Sequence, residues 1–221
     1  MVSELDMKRA FALGRASRVN PRPMDFPQPF SAVLLAGGRS TRMGQDKAGL
    51  IIDGQPLWQR QWAKLEALGA GELFFSGKAG VPDAADGRET IEDPVADAGP
   101  ISGIVAALRR ASHPWLLVLA VDLPDVPSSL LADLLREAML AGAGRVPARE
   151  EWLQPLAAVY PRACLPIAEE CLAGSNRSVR RFFRRASQAG LAAGRPVSAE
   201  EQALFRNLNA PEDVVLAASA T

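Results

Sequence analysis

The chain has 221 residues, which is enough for one domain with a proper core and leaves little room for a second domain. Lysine plus arginine total 25 and aspartate plus glutamate total 25, so the formal net charge is zero, and no global attraction to nucleic acid or to a membrane surface is expected. Apolar residues make up 48% and charged residues 23%, the mixture of an ordinary globular protein.

The first 30 residues are interpreted as an appendage to the domain. Residues 1–18 combine charge with little periodicity, and residues 21–29 contain four prolines, as an extended linker does. We therefore divide the chain into an N-terminal extension with a Pro-rich linker, residues 1–30, and one domain, residues 31–221. The start lacks the apolar segment of a secretory signal, and the two cysteines cannot build a disulfide framework, so we expect a cytoplasmic protein.

Predicted strands and helices alternate along the domain. Apolar runs predict strands at residues 32–35, 73–75 and 115–121, and a brief further strand is predicted at residues 90–92. Helices are predicted to begin at Pro56, Pro100 and Pro127. A further strand and helix are predicted at residues 156–160 and 162–172. This alternation indicates an α/β fold with a doubly wound, mostly parallel sheet and helices on both faces, a Rossmann-like arrangement.

The segment after the first strand, residues 35–47, reads LAGGRSTRMGQDK and is the most informative part of the chain. Gly37 and Gly38 allow a tight turn and a close approach of the backbone to a ligand. Three cations follow in the same segment: Arg39, Arg42 and Lys47. Neither a Walker A loop nor G-x-G-x-x-G fits it. An ordinary turn with solvated charges is the plain alternative, but glycines and cations packed behind a strand favour a phosphate-binding loop.

Acidic residues lie where two other predicted strands end. Glu92 and Asp93 end the third strand, and Asp122 follows the most apolar strand of the chain. In a parallel sheet, ligands bind beyond the carboxyl ends of the strands. Asp122 could cap the next turn, or it could hold Mg²⁺, which favours one or two carboxylates together with phosphate oxygens. Opposite a phosphate-binding loop, the magnesium interpretation is favoured.

Together these groups suit nucleophilic attack on the α-phosphate of a nucleotide. Such a transfer is catalysed mainly by positioning and by neutralising charge on the phosphate oxygens and on the departing pyrophosphate. Arg42 and Lys47 can neutralise the triphosphate, and Asp122 can carry the metal. No nucleophilic side chain is needed if the acceptor is itself a phosphate.

An arginine-rich segment in the last third predicts an amphipathic helix over residues 177–186. One face carries Arg177, Arg180, Arg181, Arg184 and Arg185, and the opposite face carries Val179, Phe182, Phe183 and Ala186. Such a charged face is commonly just solvated. Alternatively, because arginine binds phosphate in a bidentate manner, it could receive an anionic second substrate.

The glycine-rich segment resembles the signature LAGG-x-S-x-R-M-G-x-D-K of the molybdenum cofactor guanylyltransferases, MobA-like nucleotidyltransferases, and fills every signature position. Residues 92–104 are similar to the second motif of that family, ED-P-x(4)-GP-x-x-G-I. Asp122-x-Pro124 resembles the family's metal-binding Asp-x-Pro, and residues 207–213 resemble its Asn-x-Asn-Thr-Pro-Glu-Asp/Glu ending. The resemblance extends from about residue 31 to the end of the chain.

The resemblance implies a reaction and a set of contacts. GTP and molybdopterin cofactor would give the guanine dinucleotide cofactor and pyrophosphate, with molybdoenzymes or other cofactor-biosynthesis proteins as partners that take the product. Mg²⁺ would be held by Asp122. The residues that would contact GTP are Leu35, Ala36, Gly37, Lys47 and Asp93. The arginine face would be a landing site for the pterin phosphate.

Two features leave alternatives open. The family often has an asparagine that contacts the nucleotide where this chain has Ser76-Gly77. Gly37 resembles the guanylyl enzymes more than the related cytidylyl enzymes, which more often have alanine there. The alternatives are a cytidylyltransferase or another nucleotidyltransferase with a different phosphate acceptor, such as a sugar phosphate, and a nucleotide-binding partner protein without turnover.

Overall fold

The fold is that of a computed structural model, which describes residues 25–37, 50–52, 54–77 and 88–208. The strands are β1 (Phe30–Leu35), β2 (Ile51–Ile52), β3 (Gln55–Pro56), β4 (Glu72–Ser76), β5 (Glu89–Ile91), β6 (Trp115–Ala120), β7 (Gly144–Arg149), β8 (Trp152–Leu153), β9 (Ala157–Pro161) and β10 (Ala192–Pro196). The helices are α1 (Leu57–Ala67), α2 (Pro100–Arg110), α3 (Ser128–Ala141), α4 (Leu165–Ala173), α5 (Val179–Gln188) and α6 (Ala199–Ala203), with a 3₁₀ turn at Arg162–Cys164.

Eight of these strands form one sheet in the order β10-β7-β9-β6-β1-β4-β5, with β8 paired to β7. Strands β6, β1, β4 and β5 are mutually parallel neighbours, whereas β9 runs antiparallel to both β6 and β7. Strands β2 and β3 make a separate antiparallel pair. The predicted doubly wound, mostly parallel sheet is confirmed.

Helices cover both faces of the sheet because the central strands are apolar on both sides. All six residues of β1 and all six of β6 are buried. Alternate β1 side chains belong to two cores: Ala32 and Leu34 pack with α1 and α3, whereas Val33 and Leu35 pack with α2, α4 and α5. Strands buried on both faces have near-continuous apolar sequences, which is why they could be predicted.

The last third of the chain differs most from the sequence prediction. Strand β9 was predicted, but its antiparallel direction was not, and the predicted helix at 162–172 begins as a 3₁₀ turn before α4. Strands β7 and β10 read GRVPAR and AAGRP. They escaped prediction because their half-exposed residues form no apolar run.

Residues just before β1 pack against the domain. The ring of Phe26 lies 5.3 Å from that of Phe30, and the indole nitrogen of Trp115 donates a 2.7 Å hydrogen bond to Gln28 Oε1. The boundary placed at residue 31 stays a prediction, and residues 1–24 lie outside the described part of the chain. None of the helices in the described ranges combines the length and the apolar character that crossing a bilayer requires.

A carboxylate ties together the edge of the sheet at which β1 and β4 begin. Glu72 accepts hydrogen bonds from Ser31 Oγ at 2.6 Å, Ser112 N at 2.8 Å and Ser112 Oγ at 2.7 Å. Partial burial by itself would raise the pKa of Glu72, but these hydrogen bonds to the charged form outweigh it and lower the pKa to about 2. The ionised form of Glu72 therefore stabilises the fold.

Glu72→Gln is expected to change how stability depends on pH. A carboxyl with a lowered pKa contributes stability above its unfolded pKa of 4.5, and that contribution is lost as the pH falls towards about 2. The free energy of unfolding of the wild type, minus that of Glu72→Gln, should therefore shrink over this range in denaturant titrations. Ser112→Ala removes the hydroxyl donor to Glu72 but keeps the backbone N–H donor. The free energy of unfolding of the wild type, minus that of Ser112→Ala, should therefore decrease by less over the same pH range. A difference that stays constant with pH would contradict the hydrogen-bonded assignment.

Candidate active site

The carboxyl ends of four adjacent strands lie level along one edge of the sheet. In the parallel register, Leu35 pairs with Ala120 of β6 on one side and with Ser76 of β4 on the other. Ser76 pairs in turn with Ile91 of β5. Because neighbouring strands are about 4.8 Å apart, the residues that follow these ends lie side by side along about 14 Å of one edge.

Backbone hydrogen bonds join the segments that leave these strands. The N–H groups of Ala36 and Gly37 both donate to the carbonyl oxygen of Ser76, at 2.7 and 3.1 Å. On the other side, Val121 N donates to Leu35 O at 2.9 Å. The start of the glycine-rich loop is therefore fixed between the end of β4 and the segment that leads to Asp122.

Gly37 has a backbone that does not itself require glycine. Its φ lies outside the left-handed region, and an added Cβ would make only ordinary contact with Gly77 Cα at 3.6 Å. Among the described residues, nothing in the fold would therefore exclude a larger side chain. The predicted close approach of a ligand would account for a glycine at this position.

Asp93 is anchored to the end of β4 by a side-chain hydrogen bond. Ser76 Oγ donates to Asp93 Oδ1 at 3.0 Å. The surrounding protein partly shields this carboxylate and raises the pKa of Asp93, whereas the bond from Ser76 acts in the opposite direction. Ser76 therefore orients the carboxylate of Asp93 at the end of β4.

Helix α2 approaches this edge through a glycine. A Cβ added at Gly103 would clash with Ser76 Oγ and lie 2.8 Å from Leu35 Cδ2. The preceding residue of the helix also contacts this region: Ser102 Oγ donates to Val95 O at 3.0 Å and accepts from Val95 N at 3.1 Å. Gly103 lets α2 pack against the strand ends, and Ser102 fixes the loop that follows Asp93.

Asp122 lies two residues beyond β6 and is half-buried. Its carbonyl oxygen accepts a 2.9 Å hydrogen bond from Leu208 N, which joins it to the start of the C-terminal motif. Two side chains of α1, Gln61 and Lys64, bind carbonyl oxygens of the same loop. Sequence analysis missed both, although Gln61 gave a signal: it is a polar residue in the apolar stripe between Trp58 and Leu65.

Comparison with known proteins identifies the family. A family model described as MobA-like NTP transferase domain matches residues 32–190. The chain belongs to this family. A relative from Opitutus terrae, named probable molybdenum cofactor guanylyltransferase, is 36% identical over 186 residues, which cover 83% of this chain and 92% of the relative. The molybdenum cofactor guanylyltransferase of Pseudomonas putida is 33% identical over 192 residues, covering 86% and 97%.

Solved structures agree with this family assignment. Molybdopterin-guanine dinucleotide biosynthesis protein A from Archaeoglobus fulgidus superposes with a TM-score of 0.70 at 25% identity, over 86% of this chain and 97% of that one. The 2-C-methyl-D-erythritol 4-phosphate cytidylyltransferase from Thermus thermophilus has the same fold, with a TM-score of 0.62 at 21% identity over 85% and 96% of the two chains. The protein is therefore an enzyme of the MobA-like nucleotidyltransferases.

The structure brings five of the predicted site residues to one edge and leaves two untested. Those at the shared edge are Leu35, Ala36, Gly37, Asp93 and Asp122. Arg42 and Lys47 lie outside the described residues, so the predicted juxtaposition of Lys47 with Asp122 stays a prediction. What is established is that the MobA-like signature loop begins beside the segment that carries Asp122.

The arginine-rich helix is α5, and its first turn lies at the same edge of the sheet. Arg180 Nη1 donates to Glu151 O in the turn between β7 and β8, which follows the carboxyl end of β7. Arg184 is exposed, but Arg185 pairs with Glu170 of α4. The charge of the arginine face is therefore partly neutralised by Glu170, which belongs to α4 and not to α5.

An open cleft of about 620 Å³ lies at this edge beyond Asp122. Asp125 and Arg206, which pair at 3.3 Å, border it together with Trp152 and Phe205, whose rings lie 5.4 Å apart. Trp152 directly follows the β7–β8 turn that Arg180 contacts. The cleft and the arginine face thus approach the same turn from the two faces of the sheet, since Trp152 and Phe205 pack in the core with α1 and α3, and α5 packs in the other core.

Ser76→Ala is expected to raise the pKa of Asp93 further, because the variant loses the hydroxyl that stabilises the carboxylate. The pKa can be followed by NMR titration of labelled aspartate carboxyls. Ser112→Ala is the matched control, since it removes a hydroxyl at the opposite edge of the sheet, and it should leave the titration of Asp93 unchanged. An Asp93 titration unaffected by Ser76→Ala would show that the hydroxyl does not bond this carboxylate.

Proposed function

We propose that this protein transfers GMP from GTP to the phosphate of molybdopterin cofactor, forming the guanine dinucleotide cofactor and pyrophosphate. The observation that carries the proposal is the alignment of Leu35, Ser76, Ile91 and Ala120, which brings the start of the glycine-rich loop and the segments that carry Asp93 and Asp122 to one edge. Relatives named for this activity, 33% and 36% identical over most of the chain, support the choice of nucleotide and acceptor.

The proposed roles follow from the chemistry of attack on the α-phosphorus. A phosphate oxygen of the acceptor forms a bond to this phosphorus while the bond to the oxygen bridging to the β-phosphate breaks, and pyrophosphate leaves. Arg42 and Lys47 neutralise the triphosphate and the leaving group, and the backbone of Leu35, Ala36 and Gly37 lies against the nucleotide. Asp93 contacts the nucleotide from the end of β5.

The residues at this edge fit a magnesium ion that arrives with the nucleotide. Asp122 supplies one carboxylate, and no group of three or more potential ligand side chains converges within the described ranges. Magnesium commonly uses one or two carboxylates and completes its coordination with phosphate oxygens and water. When bound, the ion would neutralise charge on the phosphates.

We keep the cytoplasm as the expected location, because Cys164 and Cys171 are both free thiols.

The acceptor is proposed to bind beside the β7–β8 turn, in the cleft and against the arginine face. The half-buried ring of Trp152, which borders the cleft, is suited to a flat heteroaromatic ring such as a pterin. Arginines of α5 are suited to its phosphate. Molybdoenzymes or other cofactor-biosynthesis proteins would receive the product. The alternatives remain a cytidylyltransferase, a nucleotidyltransferase for another phosphate acceptor, and a nucleotide-binding partner protein without turnover.

Pyrophosphate release should require GTP, Mg²⁺ and molybdopterin together. We expect Lys47→Ala and Asp122→Ala to lower the rate by about 100-fold or more, because each removes charge stabilisation of the transferring phosphate. The fold, followed by circular dichroism, should be unchanged. Release with CTP instead of GTP would favour the cytidylyl alternative, release with a sugar phosphate another acceptor, and nucleotide binding without release the partner protein.

Replacing Arg181 and Arg184 by alanine is expected to raise the KM for molybdopterin by about 10-fold or more, since hydrogen bonds to charged groups contribute about 1.5–3 kcal/mol each. The KM for GTP should not change. The double variant Arg109→Ala/Arg110→Ala removes the same charge from exposed ion pairs on α2 and serves as the control. Normal transfer by the α5 variant would mean that its arginines are only solvated.

A further inference from the structure

Gln61 is a fully buried polar side chain that points from α1 towards the segment leaving β6. Its amide nitrogen donates to Leu123 O at 2.8 Å and to Ala120 O at 3.4 Å. Its Oε1 atom is buried and has no hydrogen-bond partner within the part of the chain that the structure describes. A buried amide oxygen without a partner costs free energy of folding, and an apolar residue at this position of the helix would avoid that cost. The two contacts made by the amide nitrogen are a reason for a glutamine here.

Lys64, one turn further along α1, reaches the same segment. Its ammonium group donates to Pro124 O at 2.6 Å and to Val126 O at 2.8 Å. Burial lowers the pKa of Lys64 from 10.5 to about 8, Arg60 acts in the same direction and Asp125 opposes them. Desolvating an ammonium group lowers the free energy of unfolding. As with Gln61, the side chain that carries this cost bonds to backbone carbonyl oxygens of the segment after β6.

The segment from 121 to 127 needs donors from elsewhere in the protein. It has no regular secondary structure and contains Pro124 and Pro127, which have no N–H group. Buried carbonyl oxygens must be satisfied, and those of Leu123, Pro124 and Val126 bond to α1. The segment is therefore held by α1 on both sides of Asp125, while Asp122 O bonds to Leu208 N.

We propose that Gln61 and Lys64 are positioning residues for the transfer reaction, which hold the backbone that carries Asp122 in the geometry needed for the metal and the triphosphate. Neither residue belongs to a motif that the sequence analysis singled out. The inference rests on the proposed function, since it takes Asp122 as the metal-binding carboxylate. A misplacement of about 1 Å caused by a distant substitution can cost about 100-fold in rate. Loss of the contacts that anchor the loop backbone is therefore enough to lower the rate of transfer.

The test uses Lys64→Met and Gln61→Met, which remove the donors of each side chain. Methionine matches glutamine in length and is one atom shorter than lysine. We expect kcat to fall by about 10- to 100-fold, and the affinity for Mn²⁺ in the presence of GTP, measured by electron paramagnetic resonance, to fall by about 10-fold. GTP binding without metal should not change. The amides of Asp122 and Leu123 should exchange hydrogen faster than in the wild type.

Three comparisons make the result decisive. Lys64→Arg keeps N–H donors and should restore part of the Mn²⁺ affinity, and the double variant should lose less than the sum of the single losses, because both residues hold one loop. Arg109→Met removes a cation from an exposed ion pair on α2 and should behave like the wild type. If Lys64→Met does not fold, Gln61→Met and Lys64→Arg carry the same test.

Folded variants whose kcat, Mn²⁺ affinity and amide exchange stay within twofold of the wild type would overturn the proposal. A parallel loss of metal-free GTP binding would overturn it as well, because it would indicate general damage to the site. Failure of the proposed function is separately visible: the wild type would then release no pyrophosphate with GTP and molybdopterin, while Mn²⁺ affinity and amide exchange would still report on the placement of Asp122.

Discussion

The register of the parallel strands is the constraint on which the site depends. Leu35 pairs with both Ala120 and Ser76, so β6, β1 and β4 end at the same level, and β5 continues the row. A slip of one residue in β1 would exchange its two buried faces and move the start of the glycine-rich loop away from its neighbours. Packing on both faces opposes that slip, because every β1 side chain is buried. The apolar core therefore fixes where the polar chemistry occurs.

Around this row, the segments that leave the strands are held by contacts from distant parts of the chain. Ser76 accepts two backbone hydrogen bonds from the glycine-rich loop and donates one to Asp93. The loop at Asp122 is held by α1 and by Leu208. Loops carry function in such folds because a rigid scaffold positions them, and here the scaffold includes side chains as well as the sheet.

The sequence predicts the parts of this fold that are governed by local patterns. Apolar runs located β1, β4 and β6, and the rule that ligands bind beyond strand ends placed Gly37, Asp93 and Asp122 at one edge. The reversed direction of β9 could not be predicted, since its apolar pattern is the same in either direction. Two side-chain contacts were missed for a related reason, because each joins separate elements of the fold. They are the ion pair of Arg185 with Glu170 and the hydrogen bond from Lys64 to Pro124 O.

The antiparallel strand β9 divides the sheet into two parts. On one side, β6, β1, β4 and β5 carry the nucleotide motifs, and on the other side β7, β8 and β10 adjoin the cleft and α5. Residues far apart with no shared partners affect a protein almost independently of one another. Under the proposed function, substitutions in the outer strands would therefore change which acceptor is modified without altering the half that is proposed to bind the triphosphate.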